Sequence, residues 1–122
     1  EMKEKETVIN VNDIKYKFIF NLNVMQEIQM EYQTLKNWGE LTSDTTAEGE
    51  KKEPDLKALI YGIKAMINEG IDIENENLEV KRNFLTDKQV GRIISEIGIE
   101  NITNKVQTTI INSTEDDKPK NE

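Results

Sequence analysis

The stretch from residue 7 to residue 32 changes its hydrophobic period without a linker, and this change restricts the possible folds more than any other feature. Residues 7–11 (TVINV) and 14–20 (IKYKFIF) have the composition of β-strands, and in the second run every other side chain is apolar. Asn12 and Asp13 separate the runs, and both residue types tolerate the left-handed backbone of a tight turn. The sequence therefore predicts a β-hairpin whose apolar face packs on another element, because a lone hairpin is marginally stable.

A helix is predicted directly after the hairpin. Asn21 and Asn23 are both suitable N-caps, and Asn23 with Gln26 resembles a capping box. The predicted helix ends near Trp38, with Gly39 as its C-terminal stop. Its apolar stripe at helical spacing consists of Met25, Ile28, Tyr32 and Leu35.

Three further helices are predicted. The first begins at Pro54-Asp55 and ends at Gly70. Its apolar stripe consists of Leu56, Leu59, Ile60, Ile63, Met66 and Ile67. Small residues beside the stripe, such as Gly62, let a neighbouring element approach closely, which places this helix at the centre of the fold. The second begins with a capping box of Thr86 and Gln89 and ends at Gly98. The stripe of the last consists of Ile99, Ile102, Val106 and Ile110. Residues 71–84 fit either a short strand or an irregular segment.

Most of the negative charge lies in segments that lack apolar periodicity. The chain has 24 acidic and 16 basic residues, and residues 39–55, 69–82 and 113–122 account for the excess. Residues 40–53 are predicted to form a mobile acidic loop and residues 113–122 a disordered tail. We therefore expect a single α+β domain over residues 1–112, with an N-terminal β-hairpin followed by a small bundle of three to four α-helices.

The composition argues against several classes of protein. The absence of cysteine and histidine excludes disulfides, thiolate chemistry and a Ser-His-Asp triad. Asp72, Glu74 and Glu76 alternate as at the start of a calcium loop, but asparagine occupies the later positions that require glycine and glutamate. We expect no catalytic residue, no metal, no cofactor and hence no enzyme. Net acidity disfavours nucleic-acid binding, and no apolar run reaches the roughly 20 residues of a membrane span.

Candidate partner-binding residues are those whose side chains serve either a core or an interface. Trp38 is interpreted first as a cover for one end of the core and second as an anchor for a partner, since tryptophan is enriched in interface hot spots. Tyr61 has the same two interpretations. The stripe of Ile99, Ile102, Val106 and Ile110 is expected to pack on the domain, or instead to dock a partner or a second copy.

The order of these segments resembles the tail assembly chaperones of long-tailed bacteriophages and prophages of Gram-positive bacteria. The similarity covers roughly residues 7–98 and rests on VINVNDIKYKFIFN running directly into LNVMQEIQMEY, then DLKALIYGIKAMINEG, then LTDKQVGRIISEIG. The resemblance implies a cytoplasmic protein of the bacterial host that coats the tape measure protein and keeps it soluble until the tail tube polymerises. It also implies possible self-association. The alternative interpretation is a structural tail-completion or connector component, whose hairpin adds to a neighbouring sheet.

Overall fold

The computed structural model describes residues 7–116 and confirms the α+β class, with an N-terminal hairpin followed by helices. Five helices are present in this part of the chain, where three to four were expected. The elements are β1 (Thr7–Val11), β2 (Ile14–Phe18), α1 (Leu22–Tyr32), α2 (Leu35–Thr42), α3 (Leu56–Asn75), α4 (Asp87–Ile97) and α5 (Ile99–Asp116).

The hairpin has the two-residue turn that its sequence predicts. β1 and β2 are antiparallel, and their register pairs Val11 with Ile14 next to the turn. Asn12 and Asp13 have φ angles of 52° and 67°, as a primed turn requires at both central positions. The predicted apolar face is confirmed at its base, where Phe18 is fully buried, while Ile14 at the turn end is exposed.

The predicted first helix is divided into α1 and α2, so its predicted end at Gly39 is wrong. Asn21 alone caps α1, and its Oδ1 accepts a hydrogen bond from the N–H of Val24 at 3.2 Å. The helix stops because Gln33 adopts a φ of 76°. Thr34 then begins a new helix, in which Gly39 occupies an interior position.

Local hydrogen bonds explain this break. The Thr34 hydroxyl accepts from the N–H of Asn37 at 2.9 Å, and the Asn37 side chain donates to the Tyr32 carbonyl at 2.9 Å. The first bond caps the N-terminus of α2, and the second satisfies a carbonyl at the C-terminus of α1. The two helices can therefore meet without leaving these backbone groups unpaired.

Helix α3 is the centre of the fold, as predicted. It packs against β2, α1, α2 and α4. Asp55 is its N-cap, and its Oδ1 accepts from the N–H of Ala58 at 3.0 Å. The predicted end at Gly70 is wrong, because α3 continues to Asn75. A Cβ at Gly70 would lie 2.8 Å from the Lys17 carbonyl oxygen, so this glycine serves the close approach of α3 to β2 instead of ending the helix.

Residues 71–84, predicted as a strand or an irregular segment, divide at Asn75: residues 71–75 are helical, which neither alternative predicts, and residues 76–84 are irregular. After the last turns of α3, the side chain of Asn75 donates to the carbonyl of Arg82 at 3.0 Å and accepts from its N–H at 2.9 Å. Asn68 makes the same pair of bonds with Leu85, at 3.1 and 2.8 Å. The amide groups of two half-buried asparagine side chains thus hold a segment without regular structure against α3.

Helices α4 and α5 follow the predicted signals. Thr86 and Gln89 form the capping box, with reciprocal bonds of 2.9 and 3.2 Å, and Gly98 ends α4 with a φ of 98°. Helix α5 extends to Asp116, so residues 113–116 are helical where the tail was predicted. The remainder of the predicted tail, residues 117–122, lies outside the described residues. Near the end of α5, the Ser113 hydroxyl donates to the Phe20 carbonyl at 2.8 Å.

The predicted acidic loop contains regular hydrogen bonds. Residues 40–42 belong to α2, and an antiparallel bridge joins Thr45 to Lys51. The Thr46 N–H donates to the Glu50 carbonyl at 2.8 Å, and the Lys52 N–H donates to the Asp44 carbonyl at 2.9 Å. The segment therefore forms a folded turn, and its mobility stays a prediction.

Candidate functional site

Trp38 lies in the core, as the first of its two interpretations predicts. The side chain is 3% exposed, and its indole N–H donates to the Ala58 carbonyl at 2.8 Å. The ring lies directly against the backbone of Gly62 on α3, the small residue that permits close approach. In this conformation Trp38 joins α2 to α3 and presents no surface to a partner.

Tyr61 is half-buried between α3 and α1. Its hydroxyl donates to the Glu27 carbonyl at 3.1 Å, and its ring meets that of Tyr32 edge to face at 5.5 Å. Burial raises the pKa of both phenols, and nearby carboxylates raise it further. These contacts place Tyr61 in the packing between α1 and α3.

The four apolar residues of the α5 stripe have different environments. Ile102 and Val106 are buried, with exposed fractions of 0% and 4%, and pack on the domain. Ile110 is half-buried against the same core. Ile99 is 41% exposed at the start of α5. Of the six predicted partner-binding residues, Ile99 is thus the one whose side chain is most available to another molecule.

Ile99 lies at one end of an open apolar groove between α3 and α4, which we call the α3–α4 groove. Its volume is about 910 Å³. Leu56 and Ile60 form the α3 wall. On the α4 side, Gly91 has no side chain to fill the groove. Leu56 is 54% exposed and Ile60 is half-buried. The groove therefore combines apolar walls with access from solvent, which is the usual character of a protein-docking surface.

Charged side chains of α4 border this groove. Lys88 and Arg92 are one helical turn apart, and Glu96 lies one turn beyond them. Among residues 7–116 no ion pair involves Lys88 or Arg92, whereas Asp87 on the same helix pairs with Lys64 at 2.7 Å. The groove thus has two unpaired cations on one border, within a chain whose net charge is −8.

The sequence interpretation missed Leu56, Ile60, Lys88 and Arg92 as members of one surface. The sequence predicts Leu56 and Ile60 as part of the buried stripe of the helix, and burial is confirmed for the neighbouring Leu59, at 1% exposed. A helix of this length presents more apolar surface than its neighbours cover. The available signal was the wide apolar sector around α3, but nothing in the sequence indicates that α4 leaves part of that sector open.

Comparisons of the chain with protein-family models, with curated proteins and with solved structures found no match. Within residues 7–116, no helix has both the length and the apolar character needed to cross a membrane. The same part of the chain contains no group of three or more acidic side chains placed to hold a metal ion.

Proposed function

We propose that this chain is a tail assembly chaperone of a long-tailed phage or prophage, which binds the tape measure protein in the bacterial cytoplasm and has no enzymatic activity. The observation that carries the proposal is the α3–α4 groove, a solvent-open apolar surface in a small acidic domain. The hairpin that passes directly into α1 supports it further, because this join is the main part of the family resemblance.

The groove suits an amphipathic helix. Helix-in-groove recognition places apolar side chains of one helical face between two walls, and here the walls are separate helices. Lys88 and Arg92 would meet acidic residues on the border of the docked helix, which steers the encounter and sets its orientation. A tape measure protein, as a long helical protein, offers such faces repeatedly along its length.

The exposed area of the groove suits reversible binding. Leu56 and Ile99 are 54% and 41% exposed, so a partner removes only that exposed part of each side chain from water. That contribution is about 1 kcal/mol per residue, compared with about 1.5–3 kcal/mol for burying a whole side chain. One copy therefore binds weakly, and many copies on one long partner can coat it and later be displaced by the assembling tube.

Co-expression with the neighbouring tape measure protein tests the proposal. The measured quantity is the fraction of the tape measure protein that stays soluble, first with this chain and then with its Leu56→Glu and Ile99→Glu variants. We expect the wild-type chain to raise the soluble fraction and both variants to lose most of the effect. Because both side chains are substantially exposed, the variants should keep the wild-type circular dichroism spectrum.

Met30→Glu is the matched control. Met30 is 78% exposed on α1 and does not line the groove, so this variant adds the same charge elsewhere and should protect the tape measure protein like the wild type. If the wild-type chain leaves the soluble fraction unchanged, the chaperone function is refuted. If the groove variants work as well as Met30→Glu, the function survives and the groove is not its binding site.

The alternative is a structural tail-completion or connector protein. It is supported by the hairpin, which has a strand edge available for a neighbouring sheet. Mass spectrometry of purified particles separates the two functions, since a chaperone leaves before the particle matures and a structural component stays in it.

A further inference from the structure

The hairpin has one open backbone edge. In a two-residue hairpin the residues beside the turn exchange backbone hydrogen bonds, and every second residue does the same. The backbone groups of Thr7, Ile9 and Val11 therefore hydrogen-bond to β2. The N–H and C=O groups of Val8 and Asn10 therefore point away from β2. No hydrogen bond outside the hairpin ladder involves either backbone in the described part of the chain. Two donors and two acceptors are thus left for another strand or for water.

The opposite edge of the hairpin is covered. The Ile19 N–H, just after β2, donates to the Met66 carbonyl of α3 at 3.3 Å. The close approach of Gly70 to the Lys17 carbonyl blocks the same side. The sequence also treats the two strands differently, because β2 contains two lysines, which discourage strand pairing, and β1 (TVINV) contains neither lysine nor proline.

A second groove runs along the open edge of β1, and we call it the β1 groove. Its volume is about 580 Å³, and it is separate from the α3–α4 groove. One side is formed by residues 7–10, and the other by a polar face of α5 together with Ile97 at the end of α4. The side chains of that face are Asn101, Asn104, Lys105 and Thr108. Lys105 has no ion pair among residues 7–116, so the groove has an uncompensated positive charge.

We propose that the β1 groove binds an extended, acidic peptide segment of a partner protein, which adds to the hairpin as a third strand. The backbone of that segment pairs with Val8 and Asn10. Its side chains alternate between solvent and the α5 face, where short polar groups or a carboxylate meet the asparagines and Lys105. The proposal concerns a different surface from the chaperone groove and does not depend on the proposed function.

A second copy of the chain fits this groove less well. The strand that pairs with β1 must direct alternate side chains onto the polar face of α5. In a second copy those side chains are Ile9 and Val11, which are 2% and 8% exposed because they belong to the copy's own core. The helices beneath that copy's hairpin would also have to occupy the space beside α5. A single peptide strand meets neither obstacle.

Nuclear magnetic resonance with the full chain tests the proposal. The probe is a capped peptide of about eight residues that alternates valine with serine or glutamate, a length typical of a strand. On titration, the amide signals of Val8 and Asn10 should shift, and their hydrogen exchange should slow by about tenfold or more at saturation. The same peptide with lysine in place of glutamate should bind about tenfold more weakly, because Lys105 would repel it.

Asn10→Pro and Asn10→Ala form a matched pair of variants. Proline removes the outward N–H and is tolerated where an edge strand donates to nothing, whereas alanine keeps the N–H and loses only the exposed side chain. We expect Asn10→Pro to weaken binding by about tenfold or more and Asn10→Ala to bind within about twofold of the wild type. Lys105→Glu should reverse the preference between the acidic and the basic peptide.

Three results would overturn the proposal. One is an acidic peptide that leaves the Val8 and Asn10 signals unchanged. Another is equal binding of the acidic peptide by Asn10→Pro and Asn10→Ala. If the proline variant is unfolded, the equivalent result is full binding by a peptide whose backbone nitrogens are methylated on the edge that pairs with β1. The third is a dimer in analytical ultracentrifugation whose Val8 and Asn10 amides are protected without peptide, which would assign the edge to a second copy.

Discussion

Replacing Gly62 with alanine should destabilise the protein, although alanine is the better helix former. Gly62 lies in the interior of α3, where the change alone would stabilise the helix by about 1 kcal/mol. The added Cβ, however, would lie 2.1 Å from one carbon of the Trp38 ring and 2.9 Å from its nitrogen. The ring is rigid and 3% exposed, so it cannot yield without disturbing the core.

The expected size of the loss follows from two terms. Overpacking of a close-fitting core costs about 1–3 kcal/mol. Displacing the ring also breaks the hydrogen bond from Trp38 to the Ala58 carbonyl, and leaving such buried groups unpaired costs about 1–3 kcal/mol. After the helix-propensity gain, the free energy of unfolding should fall by about 3 kcal/mol.

Urea unfolding followed by circular dichroism measures this change independently of tryptophan fluorescence. Gly39→Ala is the control, because Gly39 is also inside a helix but a Cβ there would meet no atom within 4 Å. It should raise stability by up to about 1 kcal/mol. Combining Gly62→Ala with Trp38→Leu should cost less than the sum of the single changes. A Gly62→Ala protein as stable as the wild type would refute the packing argument.

Three other changes have defined outcomes. Asp13→Gly should raise the free energy of unfolding in urea by about 0.5 kcal/mol, because Asp13 has a φ of 67° that glycine adopts freely. A loss of stability would contradict the turn geometry. Thr86→Ala should lower the free energy of unfolding by about 1 kcal/mol in thermal melts, and Thr86→Ser should not, since serine keeps the capping oxygen. Stability should fall as the pH rises above about 10. Burial raises the pKa of Tyr32 and Tyr61 above the ordinary phenol value of 10.0, so the phenols of the unfolded chain lose their protons at a lower pH than those of the folded protein. Urea midpoints of a Tyr61→Phe protein should depend less on pH in this range, and an unchanged dependence would contradict the pKa shift.

The elements that could be predicted from sequence are those whose signals are local. Asn12-Asp13 specifies the turn, Asp55 and Thr86 cap helices with their own side chains, and Gly98 ends α4 with a positive φ. In each case the residues that interact lie within four positions of one another. Such signals depend little on the rest of the chain, and the corresponding predictions are confirmed.

The wrong predictions concern two glycines and the break between α1 and α2, and of these Gly70 depends on a tertiary contact. The sequence predicts helix ends at Gly39 and Gly70, but Gly70 is needed where α3 approaches β2. The end of α1 at Gln33 has no glycine or proline to mark it. The available signal is Thr34, a good N-cap directly before an apolar residue, but the stripe through Leu35 continues at helical spacing and favours one unbroken helix.

The candidate sites were harder to predict than the fold. Whether Trp38 is a core residue or an anchor depends on Gly62, which lies on another helix, and no local pattern joins the two. The division of the α5 stripe into buried Ile102 and exposed Ile99 depends on where α4 ends relative to α3. Surfaces formed by several helices follow from their packing, which hydrophobic periodicity does not specify.

The hydrogen bond from Ser113 to the Phe20 carbonyl has a consequence for the order of events during synthesis. It joins residues 93 positions apart, and β1 likewise packs against α4 and α5, which are made after the hairpin. At about 5–20 residues per second, a ribosome needs about 5–20 seconds to cover that distance. During that interval no helix packs against β1 of the nascent hairpin, and the domain can complete its fold only after α5 has emerged from the ribosome.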